Sequence, residues 1–472
     1  MAALGGKTRD HGSTLVVAAL SSAFGVVLLQ ATGIIATAIQ SDVVGESASV
    51  RLALSLVTTV FTVIAFYVGA IVTANTFGTI IAGRVRSIAL LRLIGARAVT
   101  VRRAVATEGL IVGALGALIG LALGMLITLG AVAIGIQQAW LPAVEYALLE
   151  PIVVLPVAVV ALVTWGAAWV GSRRVVTVSP MEATGAAVEA SLEQSRHRTA
   201  RNVFALLLVV IGFAMMALGI LVSLASVFGL LISFFGGLIS FTGIILGAHL
   251  VMPPVLRLVG RMLGRAPTAR LAAENAVRFP DRSSRATIGL VIGVTLVTMF
   301  AVTMESYRAM VASTFADDPQ MAAVIDQSVT LTTSIFLALV GFSAVIAAIG
   351  MVNNLSLSVL QRTRELGLLR ALGFTGRQVR GMILAESAQM TVAAVGLGLV
   401  LGIFYGWAGA QSLLGSIPTN PEAPIAGTFV WPAVPLWPVA AIVVATAVLT
   451  LVAAVVPTRL ATRVAPVEAL AE

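Results

Sequence analysis

The chain contains no cysteine and a single lysine, Lys7, among its 29 basic residues. Without a thiol, disulfides and thiolate metal sites are excluded. The three histidines, His11, His197 and His249, are scattered and show no metal-ligand spacing. Gly6-Lys7-Thr8 mimics the tail of a phosphate-binding loop, but the upstream glycine is missing and no strand precedes it. No other lysine could serve such a loop, so the chain is not expected to bind and hydrolyse ATP by that route. No catalytic constellation and no metal or cofactor site is expected within it. Charge is equally scarce: 10% of the 472 residues are charged and 59% are hydrophobic. That leaves too little polar surface for a water-soluble globule.

What is present is a series of apolar runs of about 20 residues, each long enough to cross a hydrocarbon core of roughly 30 Å. About ten transmembrane helices are expected, at 14–39, 52–82, 107–136, 151–171, 202–224, 227–252, 286–305, 328–358, 382–407 and 436–457. The first run exceeds the apolar length of a cleaved signal peptide, so it is expected to stay as a helix. With the N-terminus inside, every basic residue except Arg51 and Arg308 falls in an inner loop or tail. The positive-inside rule then puts both termini in the cytoplasm and the chain in the cell membrane. The net charge of +9 is spread over loops that face anionic lipid. Lipid is therefore an expected partner and nucleic acid is not.

The chain repeats itself. Arg86-Ser-Ile-Ala-Leu-Leu-Arg-Leu-Ile-Gly95 returns as Arg364-Glu-Leu-Gly-Leu-Leu-Arg-Ala-Leu-Gly373. At that same offset Asn75 falls on Asn353, Glu108 on Glu386, Gly120 on Gly398 and Gly124 on Gly402. With eight more residues, Ala167, Ala168, Arg173, Val178, Pro180 and Glu182 fall on Ala453, Ala454, Arg459, Val464, Pro466 and Glu468. Spans one to four thus correspond to spans seven to ten, and spans five and six form an insert. The fold expected is all-α and integral to the membrane, with two parallel four-helix repeats and a two-helix insert. The expected parts are a first half at 1–171, a cytoplasmic linker at 172–201 and the insert at 202–252. A cytoplasmic amphipathic segment at 253–285 and the second half at 286–472 follow. Because the span interiors hold almost no ionisable residues, a proton or sodium relay is disfavoured.

The arginine segments are the leading candidate sites. Ile88, Leu91 and Ile94, and their counterparts Leu366, Leu369 and Leu372, recur at helical spacing and give each segment an apolar edge. Such a helix could lie flat on lipid, or insert as a knob into a partner's groove. Glu108 and Glu386 are read as first-turn carboxylates favoured by the helix dipole. Gly116, Gly120, Gly124, Gly398, Gly402 and Gly406 form small-residue ridges that suit close helix packing, with a substrate path the lesser reading. Spans two and eight, at about 31 residues or roughly 46 Å, exceed the bilayer core. Asn75 and Asn353 lie within them, suited to hydrogen-bonding a neighbouring helix.

Arg-x-Arg-Glu-Leu-Gly-Leu-Leu-Arg-Ala-Leu-Gly, at Arg362 to Gly373, resembles the signature of the FtsX-like permease family, the membrane subunits of macrolide-exporter-type ABC transporters. The segment Ala273–Arg285 is similar to the amphipathic helix that leads into a half in that family. Val464-Ala-Pro-Val-Glu-Ala469 resembles the family's closing segment, and Val178-Ser-Pro-Met-Glu-Ala183 repeats it. The resemblance implies that each arginine segment is a coupling helix docked on a cytosolic ABC ATPase. The contacts would be Arg86, Leu90, Leu91, Arg92 and Gly95, and Arg364, Glu365, Leu368, Leu369, Arg370 and Gly373. It implies two ATPase copies per chain, with ATP and magnesium held by that partner. Ser87 stands where the pattern has the acid that Glu365 supplies, so unequal grips on the two copies are expected.

Family members commonly carry a large extracellular domain, but here the loops at Gln40–Arg51 and Ser306–Gln327 are too short for one. The outer loop at Ala408–Pro435 carries five prolines and Trp431, and reads as a compact cap anchored in the interface. The resemblance implies a permease that couples ATP hydrolysis by another chain to efflux or membrane extraction of an amphipathic compound such as a peptide, antibiotic or lipid. A signalling permease that moves no solute is the alternative, and an ion-coupled carrier is a more distant one.

Overall fold

The computed structural model describes residues 8–40, 96–138, 141–177, 199–226, 228–262, 267–278, 280–314, 368–415 and 428–448, with scattered positions between 59 and 74 and at 330 and 333. Among the described residues every regular element is helical. The first three helices are α1 (Thr8–Gln40), α2 (Ala98–Gln137) and α3 (Val154–Thr177), the last entered through a single 3-10 turn at Pro151–Val153. Then come α4 (Thr199–Ser223), α5 (Gly229–Leu246), α6 (Ala248–Met262), α7 (Pro267–Arg278), α8 (Pro280–Thr314), α9 (Gly376–Leu414) and α10 (Leu436–Val448). Among the described residues seven helices are long and apolar enough to cross a membrane. The shorter α10 coincides with the expected tenth span, while spans two and eight lie largely outside the described residues, with Asn75 and Asn353 among them.

The chain divides into two compact units, Met1–Val188 and Glu189–Glu472. The division falls inside the expected linker, and the two-helix insert belongs to the second unit. In the first unit α1 packs along α2, and α2 along α3. Ala18, Ala117 and Val160 meet in one small cluster, and Val26, Leu29 and Val153 in another. Ala18 and Ala117 are small where the helices approach closely. A Cβ on Gly116 would lie 2.6 Å from the Ala18 Cβ, and one on Gly124 would lie 2.9 Å from the Val26 Cβ. A Cβ on Gly120 would collide with the Ala19 carbonyl. The Ser22 hydroxyl donates across the same seam to the Ala117 carbonyl at 2.8 Å.

The second unit uses the same device. Here α8 lies along α9, and a Cβ on Gly398 would fall 2.8 Å from the Val294 Cβ. Gly402 would meet the Thr298 Cβ at 2.5 Å, and Gly406 the Met299 carbonyl at 2.6 Å. The Thr303 hydroxyl donates to the Gly406 carbonyl at 3.0 Å. The register matches as well. Gly120 faces Ala19 and Ser22, Gly124 faces Ala23 and Val26, Gly398 faces Val291 and Val294, and Gly402 faces Thr295 and Thr298. Lipid chains are as apolar as leucine, so membrane helices gain little by excluding lipid from one another; dispersion contact and interhelical hydrogen bonds hold them, and both require a short approach.

Around this pair the second unit builds a larger core. Met252 and Leu256 of α6, Ala276 of α7, Leu290, Val291 and Val294 of α8 and Met390, Ala393 and Ala394 of α9 are buried together. The insert hairpin α4–α5 has its own glycine seam, in which Gly219 is apposed to Ser233, Gly229 to Ser223 and Gly243 to Val209. It is fastened to α9 by a 2.8 Å hydrogen bond between the Ser240 and Tyr405 hydroxyls, and by Ser223 donating to the Gln411 carbonyl at 3.2 Å. The Gln411 side chain grips the described part of the segment expected as an outer loop. Its Nε2 donates to the Thr428 carbonyl at 2.8 Å, and its Oε1 accepts from the Val430 amide at 2.7 Å. Trp407 adds an Nε1 bond to the Val430 carbonyl at 3.0 Å, and Ser306 accepts the Ala433 amide at 3.1 Å. Phe429, Trp431 and Trp437 stay exposed beside these bonds.

Three expectations are corrected. The hydropathy reading sets the third helices at 107–136 and 382–407, whereas they start at Ala98 and Gly376, and the second runs on to Leu414. Hydropathy detects the part in hydrocarbon, but the hydrogen-bond ladder continues through Arg102, Arg103, Arg377 and Arg380, which are good helix formers. Glu108 and Glu386 therefore sit well inside their helices, and neither first turn carries an acid. The dipole explanation for them fails; Glu386 is buried and Glu108 half-buried. In addition, the sixth span is interrupted at Gly247, so that α6 is a separate amphipathic helix.

Candidate functional site

The second arginine segment is described from Leu368 onward, and its close is set by the residues themselves. The turn from Leu368 to Ala371 is helical and ends at Gly373, whose φ of 99° lies in the left-handed region. There the Gly373 amide donates to the Arg370 carbonyl at 3.1 Å and the Phe374 amide to the Leu369 carbonyl at 3.0 Å. This is the paired bonding of a glycine-terminated helix end, which satisfies carbonyls that would otherwise be orphaned. Only glycine reaches such a φ without a Cβ penalty. The chain restarts at once, because the Thr375 side chain caps Gln378 and the Gln378 side chain reaches back to the Thr375 amide at 2.8 Å. Between them, Gly373 and Thr375 fix the angle at which the arginine segment leaves α9.

That angle sorts the leucines. Leu369 and Phe374 pack inward against Ala272 of α7 and Val379, Met382 and Ile383 of α9. Leu368 and Leu372, four residues apart on one helical face, are 53% and 71% exposed. Arg370 is half-buried. The segment is thus anchored from beneath by Leu369 and presents an apolar pair outward. Leu372 is not among the contact residues that the resemblance implies; its spacing from Leu368 is the signal in the sequence that points to it. Arg86, Leu90, Leu91, Arg92, Gly95, Arg364 and Glu365 lie outside the described residues. Gly116, Gly120, Gly124, Gly398, Gly402 and Gly406 all lie at helix–helix seams. Among the described residues no group of His, Asp and Glu is placed to hold a metal ion.

The Gly373 geometry makes a prediction with a built-in contrast. Gly373→Ala is expected to destabilise the protein by about 1–2 kcal/mol, because alanine is strained at that φ. Gly381→Ala, in the exposed interior of α9 with nothing within 4 Å of the added Cβ, is expected to stabilise by about 0.5–1 kcal/mol. Thermal unfolding of both variants in detergent should show shifts of opposite sign.

Comparison with known proteins agrees with this architecture. The family model "FtsX-like permease C-terminal" matches the chain twice, at residues 59–180 and 337–466. Together the two matches take in more than half of the sequence. The chain therefore belongs to the FtsX-like permease family, and is a multi-pass membrane protein of the ABC-transporter permease class. It is similar to the uncharacterized ABC transporter permease YknZ of Bacillus subtilis, with 33% identity over 118 residues, which is 25% of this chain and 28% of that protein. It is similar also to the macrolide export ATP-binding/permease protein MacB of Chlorobium phaeobacteroides, at 36% over 93 residues, covering 18% of this chain and 14% of MacB. The ABC transporter permease YtrF of Bacillus subtilis is 38% identical over 61 residues, 13% of either chain. The chain thus spans less than a third of the length of each of these curated relatives.

Proposed function

We propose that this chain is the membrane subunit of an ATP-driven exporter and is worked by a separate cytosolic ABC ATPase. The observation that carries the reading is the exposed Leu368–Leu372 pair, held rigidly by the Gly373 turn and anchored through Leu369 to α7 and α9. An apolar pair on a short braced element is suited to filling a groove in a soluble partner, since a floppy loop would lose the ordering entropy on every docking. Bracing also lets a push on the segment reach α9, and from α9 reach α8 through the glycine seam. In this reading the two halves are parallel repeats with both termini in the cytoplasm. The first arginine segment, Arg86 to Gly95, takes a second ATPase copy, and the partner holds the ATP and magnesium. The reading keeps the division into two halves, linker, insert and amphipathic segment, and the hydrogen bonds from Ser240 and Ser223 to α9 support an insert clamped to the second half. MacB's name, macrolide export, supports an amphipathic cargo taken laterally from the bilayer.

The test is reconstitution of the purified chain in inverted vesicles, with and without a separately purified cytosolic ABC ATPase. ATP-dependent accumulation of a fluorescent amphipathic compound is expected only when both are present. Nucleotide turnover by the chain alone, or uptake that follows a proton gradient with no ATPase, would refute the reading.

A further inference from the structure

A second cluster in the first unit is built from residues that the proposed function does not use. Arg102, in the second turn of α2, places its guanidinium carbon 3.8 Å from the centroid of the Trp169 ring on α3. Trp169 is stacked in turn on Trp165, one helical turn away, with centroids 6.3 Å apart and planes at 23°. The backbones beneath are locked together, because Ala168 is fully buried against Val105. Among the described residues, the Arg102 Nε and Nη2 are shielded and have no hydrogen-bond partner. An indole face attracts a cation but accepts no guanidinium hydrogen bond in the ring plane, so the charge is only partly compensated and two of its donors stay without a hydrogen bond. Leaving charged donors in that state is costly, and a nearby anion such as a phosphate or carboxylate offsets that cost through its charge.

Position decides the source of that anion. Apart from Val99, the exposed large apolar residues of α2 run from Leu110 and Ile111 onward, about two turns beyond Arg102, and Trp165 is itself partly exposed. Tryptophan beside arginine at the end of an apolar span is the composition of the headgroup layer. Arg173 and Arg174 follow Trp169 within about one turn in sequence. The cluster is also confined to one half. Arg380 stands where Arg102 maps in the second half, but Leu451 and Val455 replace Trp165 and Trp169. A feature needed by both halves for helix packing would be expected twice.

We propose that Arg102, backed by Trp169 and Trp165, is a binding site for the phosphate of an anionic phospholipid headgroup. The guanidinium supplies the charge and donates from Nη1, the nitrogen not shielded by the protein, Trp169 holds the group from behind, and Trp165 lies along the glycerol and upper acyl region. The proposal is independent of the ATPase reading, since it concerns the resting membrane protein.

It is tested with the full chain purified in detergent and titrated with dioleoylphosphatidylglycerol or dioleoylphosphatidylcholine, counting retained lipids by native mass spectrometry. One phosphatidylglycerol is expected to bind about tenfold more tightly than phosphatidylcholine. Arg102→Gln should erase that preference, and Trp169→Leu should reduce it several-fold. Arg103→Gln, at the exposed neighbouring position, should leave it nearly unchanged. Should Arg102→Gln not fold, Arg102→Lys keeps the charge without the planar guanidinium that Trp169 backs, and should weaken binding several-fold. An unchanged preference in the Arg102 variants would overturn the proposal. So would displacement of the lipid by inorganic phosphate at equal concentration, which would mark a site for soluble anions.

Discussion

Replacing Leu368 and Leu372 together by aspartate is expected to abolish co-purification of the ATPase, while the protein stays inserted and folded. Both side chains are more than half exposed, so the change costs the free permease little. In a docked complex each leucine would lose about 1.5–3 kcal/mol of burial, and each aspartate would add the cost of desolvating a charge in an apolar groove. A loss of affinity of at least about a hundredfold follows. Leu369→Ala is the informative counterpart. Leu369 packs against Ala272, Val379, Met382 and Ile383, so its truncation should lower thermal stability by about 2–3 kcal/mol and weaken docking only indirectly. Pull-down of the ATPase and thermal unfolding, measured on both variants, separate the roles. A complex that survives the double aspartate variant would show that the partner does not dock here.

Gly402→Leu is expected to have the largest effect on the fold. Its Cβ would lie 2.5 Å from the Thr298 Cβ and 2.9 Å from the Thr295 carbonyl, so α8 and α9 would have to separate along their whole seam. Overpacking of this kind costs about 1–3 kcal/mol locally, and the lost contact of adjoining seam residues adds to it. Gly120→Leu should do the same to α1 and α2, where the Cβ would strike the Ala19 carbonyl. Gly396→Leu, in the same helix as Gly402 but with nothing within 4 Å, is the control and should be silent. Size-exclusion profiles and melting in detergent measure this. Equal behaviour of Gly396→Leu and Gly402→Leu would mean that the seam does not hold the unit together.

Several of these features are legible in the order of residues alone. The repetition of Arg86–Gly95 at Arg364–Gly373, the glycine spacing and the apolar run lengths lie in the chain itself, and the double match of one family model follows the same repeat. Run length reports where hydrocarbon begins and ends, not where a helix does. For that reason hydropathy makes α2 and α9 too short and places Glu108 and Glu386 wrongly at their starts. The inward turn of Leu369 is equally hidden. Leu366, Leu369 and Leu372 look like one stripe by periodicity alone, but the bend at Gly373 and the floor supplied by α7 set Leu369 apart from Leu372.

Composition and the pattern of repeats determine by themselves that this is an all-helical membrane protein with glycine ridges at matched positions of its two halves, while the family is reached through the likeness of Arg362–Gly373 to a known signature and the double match of the family model. Both depend on residue type and spacing, which are local properties. Which leucine faces outward, that Gln411 and Ser240 fasten separate segments, and that an arginine lies over Trp169 are decided only in the folded chain. Each joins residues remote in sequence, and in apolar helices the lipid-facing, core-facing and partner-facing positions share one alphabet until packing distinguishes them.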